Sequence, residues 1–246
     1  MDGVRFRTAG DSALIVEFEK AISPEINSRV MRLAQTLKDR PVRGVTDWIP
    51  AFCTLLIAYD PLQLGEEELK KQLTSRLEQE NGKECVPVRV IDIPVCYGRY
   101  FGPDLHRVAE HAGLTPEDVI REHCRKPYRI YMLGFLPGFA YLGGLAPQLH
   151  TPRLAVPRTR IPAGSVGIGG AQTGIYPLDS PGGWQLIGRT PVRVYDPDRE
   201  EPFLYQAGDL IRFVPIDPDR YYELHRLCET GQWQPAVRTR KEAEQE

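Results

Sequence analysis

Four arginines, Arg153, Arg158, Arg160 and Arg189, fall in a stretch of the chain where Pro or Gly recurs every few residues. Guanidinium groups on stiff loops suit two-pronged recognition of a carboxylate or phosphate. The alternative for each is a solvated side chain or a pair with an acid such as Asp179. The word Ser180-Pro181-Gly182-Gly183-Trp184 lies among them. Two consecutive glycines present adjacent backbone N–H groups, which make an anion-binding nest or oxyanion donors, with Trp184 as an apolar wall. The same word also makes a tight turn with Trp184 in a core. Ser165 sits in Ala163-Gly164-Ser165-Val166-Gly167, close to a GxSxG nucleophile elbow. That elbow needs a strand before it and a helix after it. Here Ala163 replaces the first glycine, Pro162 precedes the word and a strand pattern follows. Ser165 is therefore expected to make a turn hydrogen bond or touch a ligand. Asp209, after Gly208, reads either as a site acid or as an ordinary Gly-Asp turn. No residue stands out as the catalytic base.

Other chemistries lack their residues. The sequence holds neither GxxxxGK[ST] nor GxGxxG, so no phosphate-cradling loop is legible. The five histidines are not at metal-ligand spacing, and no metal site is expected. His106 and His111 read as helix-surface residues, as does His123. The five cysteines are scattered with no CxxC, which fits reduced thiols in a cytoplasmic protein.

The Gly/Pro-rich half carries a resemblance. Gly134-Phe135-Leu136-Pro137-Gly138-Phe139, Pro152-Arg153, Pro157-Arg158, Ile161 to Val166, Gln172-Thr173-Gly174-Ile175-Tyr176-Pro177 and Ser180 to Trp184 occur in that order. Gly188-Arg189-Thr190-Pro191 and Gly208-Asp209 follow. These words resemble the family that contains the B subunit of 5-oxoprolinase, the kinase inhibitor KipI and the allophanate hydrolase subunit 1 domain. The resemblance implies a component of an ATP-dependent complex that opens the lactam 5-oxo-L-proline to L-glutamate. It implies the A and C subunits of 5-oxoprolinase as partners, and ATP used by the complex rather than bound by this chain alone. A KipI-like inhibitor of a sporulation histidine kinase is the alternative, with allophanate or urea-related amide hydrolysis a third reading.

The elements that must position these residues fall into two sets. Through about residue 92 the pattern reads ββαββαβ: strands at Phe6 to Ala9, Ala13 to Phe18, Val45 to Ile49, Phe52 to Tyr59 and Val86 to Val95. Between them lie a helix opened by Ser23-Pro24-Glu25 and another over about Glu66 to Glu80. That order suggests a ferredoxin-like α+β sandwich for residues 1–92. Two short helices follow, the second opened by Thr115-Pro116-Glu117-Asp118, and then short strands between turns, including Val192 to Tyr195. This pattern argues for a β-barrel over 93–235, and the resemblance implies that it is cyclophilin-like. Residues 236–246 read as a polar, frayed tail. Arg153, Arg158, Ser165, Gln172, Ser180, Gly182, Gly183, Trp184 and Arg189 are expected to converge on one face of that barrel, against substrate or partner.

The chain has 246 residues, 41% hydrophobic and 26% charged, with a formal net charge of −2. That balance gives no basic field for nucleic acid. No apolar run suits a membrane span, and residues 1–6 lack the apolar core of a signal peptide.

Overall fold

The computed structural model describes residues 3–21, 23–79 and 88–240. They form two compact units, the second being Val88–Arg240. The first contains β1 (Arg5–Thr8), β2 (Ala13–Glu17), α1 (Pro24–Asp39), β3 (Val45–Pro50), β4 (Thr54–Tyr59) and α2 (Glu66–Gln79). Its sheet is antiparallel with order β1-β2-β4-β3. Ser23 caps α1 by accepting from the Ile26 amide, and Pro24 occupies the first turn, where no amide is needed. Ile26, Val30, Leu33 and Leu37 of α1 pack with Leu69 and Leu73 of α2 on Leu14, Val16, Leu55 and Ile57. The unit is α+β, but the fifth strand of the expected ferredoxin-like sandwich is not part of it.

That strand, β5 (Val88–Tyr97), belongs to the second unit. The reason is its burial on both faces, which a strand at the margin of a half-exposed sheet does not need. The remaining elements are α3 (Leu105–Ala112), α4 (Pro116–Cys124), β6 (Tyr128–Leu133), β7 (Ala140–Gly143), β8 (Arg158–Ile161), β9 (Ser165–Gly169) and β10 (Gln172–Ile175). They are followed by β11 (Ser180–Gly182), β12 (Gln185–Arg189), β13 (Leu210–Ile216), α5 (Pro218–Glu229) and β14 (Val237–Arg240). Seven strands close a barrel in the order β12-β9-β10-β7-β6-β13-β5, with β5 pairing back to β12. A closed barrel fits the expected cyclophilin-like architecture. Ile93, Val95, Ile130, Leu142, Val166, Ile168, Ile175, Ile187 and Phe213 fill its core, which Leu105, Val108 and Val119 of α3 and α4 extend. The strands β8 and β11 form a separate two-stranded ribbon.

Three expectations are corrected here. Val192 to Tyr195 is not a strand: Val192 and Val194 bury their side chains in the barrel core, and the segment makes one isolated bridge, Tyr195 to Phe203. Ring closure leaves it no barrel edge to join. The expected tail begins instead with β14, paired to the first half of β5 from Val237 opposite Ile91 to Arg240 opposite Val88; residues 241–246 lie outside the described residues. His123, placed on a helix surface by its neighbours in sequence, is wholly buried.

Its burial is matched by a closed hydrogen-bond chain. Thr173 Oγ1 donates to the Gly167 carbonyl (3.1 Å), so it accepts from His123 Nε2 (2.7 Å). His123 Nδ1 then accepts from the Tyr97 hydroxyl (2.8 Å), which in turn faces Cys124 Sγ at 3.3 Å. The ring stacks on Phe213, 4.5 Å between centroids. Burial drives the imidazole pKa down to about 3, so His123 is neutral at ordinary pH.

Candidate functional site

The motif-rich residues lie on the outer face of the barrel. Strands β9 and β12 run antiparallel, with Gln185 opposite Ile168 and Arg189 opposite Ser165. Residues Val166 and Ile168 point into the core, so Ser165 points outward. A bulge between Leu186 and Gly188 shifts the register by one residue. Without it Arg189, two residues beyond the core residue Ile187, would face inward; the bulge turns it outward beside Ser165.

One end of this strand pair is closely packed, and its arginines are matched; of its buried polar atoms, Gln185 Oε1 has no hydrogen-bond partner, while Gln185 Nε2 donates to the Pro152 carbonyl at 2.8 Å. Trp184 is buried, with Phe139 and Tyr176 edge-on at 5.5 and 6.2 Å. Ile161 and Leu186 complete the cluster, and the Arg153 guanidinium lies 5.9 Å from the indole centroid. Gln172 is opposite Gly169, whose missing side chain makes room for the indole. A side chain at Gly182 would come within 2.5 Å of the Tyr176 hydroxyl, so close packing already requires that glycine. The Gly183 carbonyl accepts from the Leu154 amide at 2.6 Å. Arg158, opposite Gly182 in the ribbon, donates to Asp104 Oδ1 at 2.7 Å, while Asp104 Oδ2 accepts from the Leu186 amide at 2.7 Å. Arg158 thus anchors the start of α3 to the ribbon and to β12. Arg160 pairs with Asp179, which also accepts from the Ala163 amide; that amide first, and then Arg160, hold the Asp179 carboxyl below its usual range. Asp209 is likewise engaged, by Arg89 and the Gln206 amide.

The other end differs. Ser165 is fully buried and its Oγ has no hydrogen-bond partner; neither has the buried Nε of Arg189. Ser180 Oγ is a third such atom, in the ribbon opposite Ile161. Gly164 sets this end. Its φ of +79° and the Thr190 carbonyl, 2.5 Å from where a Cβ would stand, exclude other residues. It ties three segments, accepting from the Thr190 amide (2.9 Å) and donating to the Tyr176 carbonyl (2.7 Å). Cys96 is the neighbour of Arg189 on β5 and packs with Phe101 and with Tyr221 of α5. Burial raises the Tyr221 hydroxyl pKa, while the charge of Arg189 and a hydrogen bond with it oppose that shift. The nine expected site residues therefore share a region but not a point. Arg153, Arg158, Gln172, Gly182, Gly183 and Trp184 gather at one end, Ser180 lies in the ribbon opposite Ile161, and Ser165 and Arg189 stand about 13 Å along at ~3.3 Å per residue.

Residues 4–205 match the family described as carboxyltransferase domain, subdomain C and D. The chain belongs to that family. It is 42% identical over 223 residues to the 5-oxoprolinase B subunit of Bacillus subtilis (strain 168), covering 87% of this chain and 93% of the relative. It is 44% identical over 218 residues to the protein of the same name from Escherichia coli O157:H7, covering 87% and 97%. Among solved structures, TTHA0988 superposes with a TM-score of 0.75 at 43% identity over 83% of this chain; the chain spans 40% of that longer one. The urea amidolyase of K. lactis shares the fold, with a TM-score of 0.77 at 21% identity.

Within this family framework, the described residues hold no group of three or more His, Cys, Asp or Glu that could bind a metal. No described helix is long and apolar enough to cross a membrane. Sequence reasoning missed Asp104, Cys96 and Tyr221. A signal existed only for Tyr221, because Asp217-Pro218-Asp219 opens α5 with the cap, proline and acid pattern seen at Ser23 and Thr115.

Proposed function

We propose that this chain is the B subunit of an ATP-dependent 5-oxoprolinase complex, which hydrolyses 5-oxo-L-proline to L-glutamate. The observation that carries this reading is the 42–44% identity to proteins of that name along nearly their whole length. The chemistry explains why a complex is needed. A five-membered lactam is a stable amide with a poor leaving amine. Phosphoryl transfer to the amide oxygen makes the ring carbon electrophilic, and the anionic intermediates then require Arg and N–H donors. This chain offers such donors but has no phosphate-cradling motif, so ATP is handled with the A and C subunits. Among the described residues, the acids and the histidine most buried around the barrel are already engaged. Asp104 is tied to Arg158, Asp209 to Arg89 and Asp92 to Arg212 and Arg238, while His123 is sealed in the core. The chain alone is accordingly inactive, and its place is the cytoplasm, where its thiols stay reduced.

The test is reconstitution from separately purified components. Mixing this chain with the A and C subunits, ATP and 5-oxo-L-proline should release glutamate; omitting this chain should stop it. No release from the full mixture would overturn the assignment. Glutamate release by this chain alone would overturn its dependence on partners.

A further inference from the structure

The barrel's outer face contains an incomplete hydrogen-bonding arrangement. Arg189 Nε–H can only donate, so the partner it lacks must be an acceptor. Ser165 Oγ, opposite it across β9 and β12, is fully buried and also lacks a partner. A buried donor left unpaired destabilises a fold, yet here a bulge and a glycine of positive φ hold both groups in place. Arg189 as a whole is only half-buried, so the approach to this pair is from the side of its guanidinium. Cys96, opposite Arg189 on β5, and Tyr221, whose hydroxyl is hydrogen-bonded to it, bring no carboxylate. Asp179, whose carboxyl feels the Arg189 charge, spends its oxygens on Arg160 and the Ala163 amide.

We propose that Arg189 and Ser165 form a carboxylate-binding site, and that its ligand is the carboxylate of the small cyclic acid hydrolysed by the complex. This rests on the function proposed above. The guanidinium presents Nε–H and a terminal N–H side by side, a fork that matches the two oxygens of a carboxylate, and Ser165 O–H supplies a third donor. Tyr221, whose hydroxyl meets the guanidinium, and Phe101, packed 4.6 Å from the Tyr221 ring, give the ligand's ring an aromatic wall. In the present state neither Nε nor Oγ touches solvent, so binding includes a shift of the side chains that shield them.

The experiment uses the reconstituted complex. First, the Arg Nε–H resonance of Arg189 is followed by NMR during titration with 5-oxo-L-proline, and with 2-pyrrolidinone, the same lactam without its carboxylate. A saturable shift with the acid alone is expected; an unmoved resonance while hydrolysis proceeds overturns the site and leaves the proposed function intact. A shift in a complex that hydrolyses nothing supports the site and removes the function. Second, kinetics are compared for R189K, which keeps the charge but loses the fork, and for S165A. The KM for 5-oxo-L-proline should rise about 10- to 100-fold in R189K and less in S165A, with the KM for ATP unchanged. An unchanged KM in R189K overturns the proposal. So does lost assembly in R189K with a wild-type resonance indifferent to 5-oxo-L-proline, which would assign the acceptor to a partner's acidic side chain.

Discussion

The two ends of the β9–β12 strand pair are built from the same sheet, yet they differ in how their arginines are matched. At the Trp184 end the aromatic rings interlock and Arg158 meets a buried acid. At the Arg189 end, the guanidinium meets the Tyr221 hydroxyl, but the buried Nε of Arg189 and the buried Oγ of Ser165 have no hydrogen-bond partner. A barrel tolerates such an end because its closed strand ladder and apolar core supply stability elsewhere. The proposed carboxylate would match the donors left over at the Arg189 end, whereas Arg158 already matches its neighbour in the fold.

This contrast orders the expected effects of substitution. The largest is Trp184→Ala, which removes the largest ring of an aromatic cluster and should cost about 3–5 kcal/mol in denaturant unfolding; a loss below about 1 kcal/mol would erase the distinction between the ends. Next is Arg158→Ala. It strands the buried Asp104 carboxylate, and because Arg158 is itself partly exposed the loss should fall below the ~3–5 kcal/mol of a fully buried pair, nearer ~2. Asp104→Asn in the same background should recover part of it.

Acid sharpens the comparison from within the core. The pKa of His123 is lowered in the fold, so the unfolded chain takes up its proton first as pH falls. The stability linked to its neutral form is complete above about pH 6.5 and declines between there and the folded value of about 3, by at most ~1.4 kcal/mol per pH unit. His123→Gln should flatten the unfolding-versus-pH curve between about pH 6 and pH 4 by about one proton's worth of slope. An unaltered slope would show that another group carries it. The smallest expected effect is Ser165→Ala, which removes an unmatched hydroxyl and should change stability by less than about 0.5 kcal/mol, or raise it. A loss of about 2 kcal/mol or more would mean that Ser165 has a structural partner after all.

Much of the fold was legible because its signals are local. The Ser23 and Thr115 caps, the following prolines and the apolar stripe of α1 each depend on residues within one or two helical turns. So do the alternating burial patterns of β2 and β4. The turn-spaced strands of the second half announced a barrel, and the family words placed Ser165, Trp184 and Arg189 in one region. Strand ownership was not legible. Val88–Tyr97 is equally strand-like whichever sheet it joins, and only its burial on both faces assigns it to the barrel.

Composition and spacing by themselves determined that this chain folds as α+β, where its helices begin, which segments are extended and which family words it carries. Tertiary structure alone decided the partners. Asp104 finds Arg158 across 54 residues, and His123 finds Thr173 across 50. Arg189 reaches Ser165 only because a one-residue bulge reverses its face. The physical reason is that backbone preference is set by near neighbours, while side-chain pairing follows sheet register and ring closure, and these depend on every strand at once.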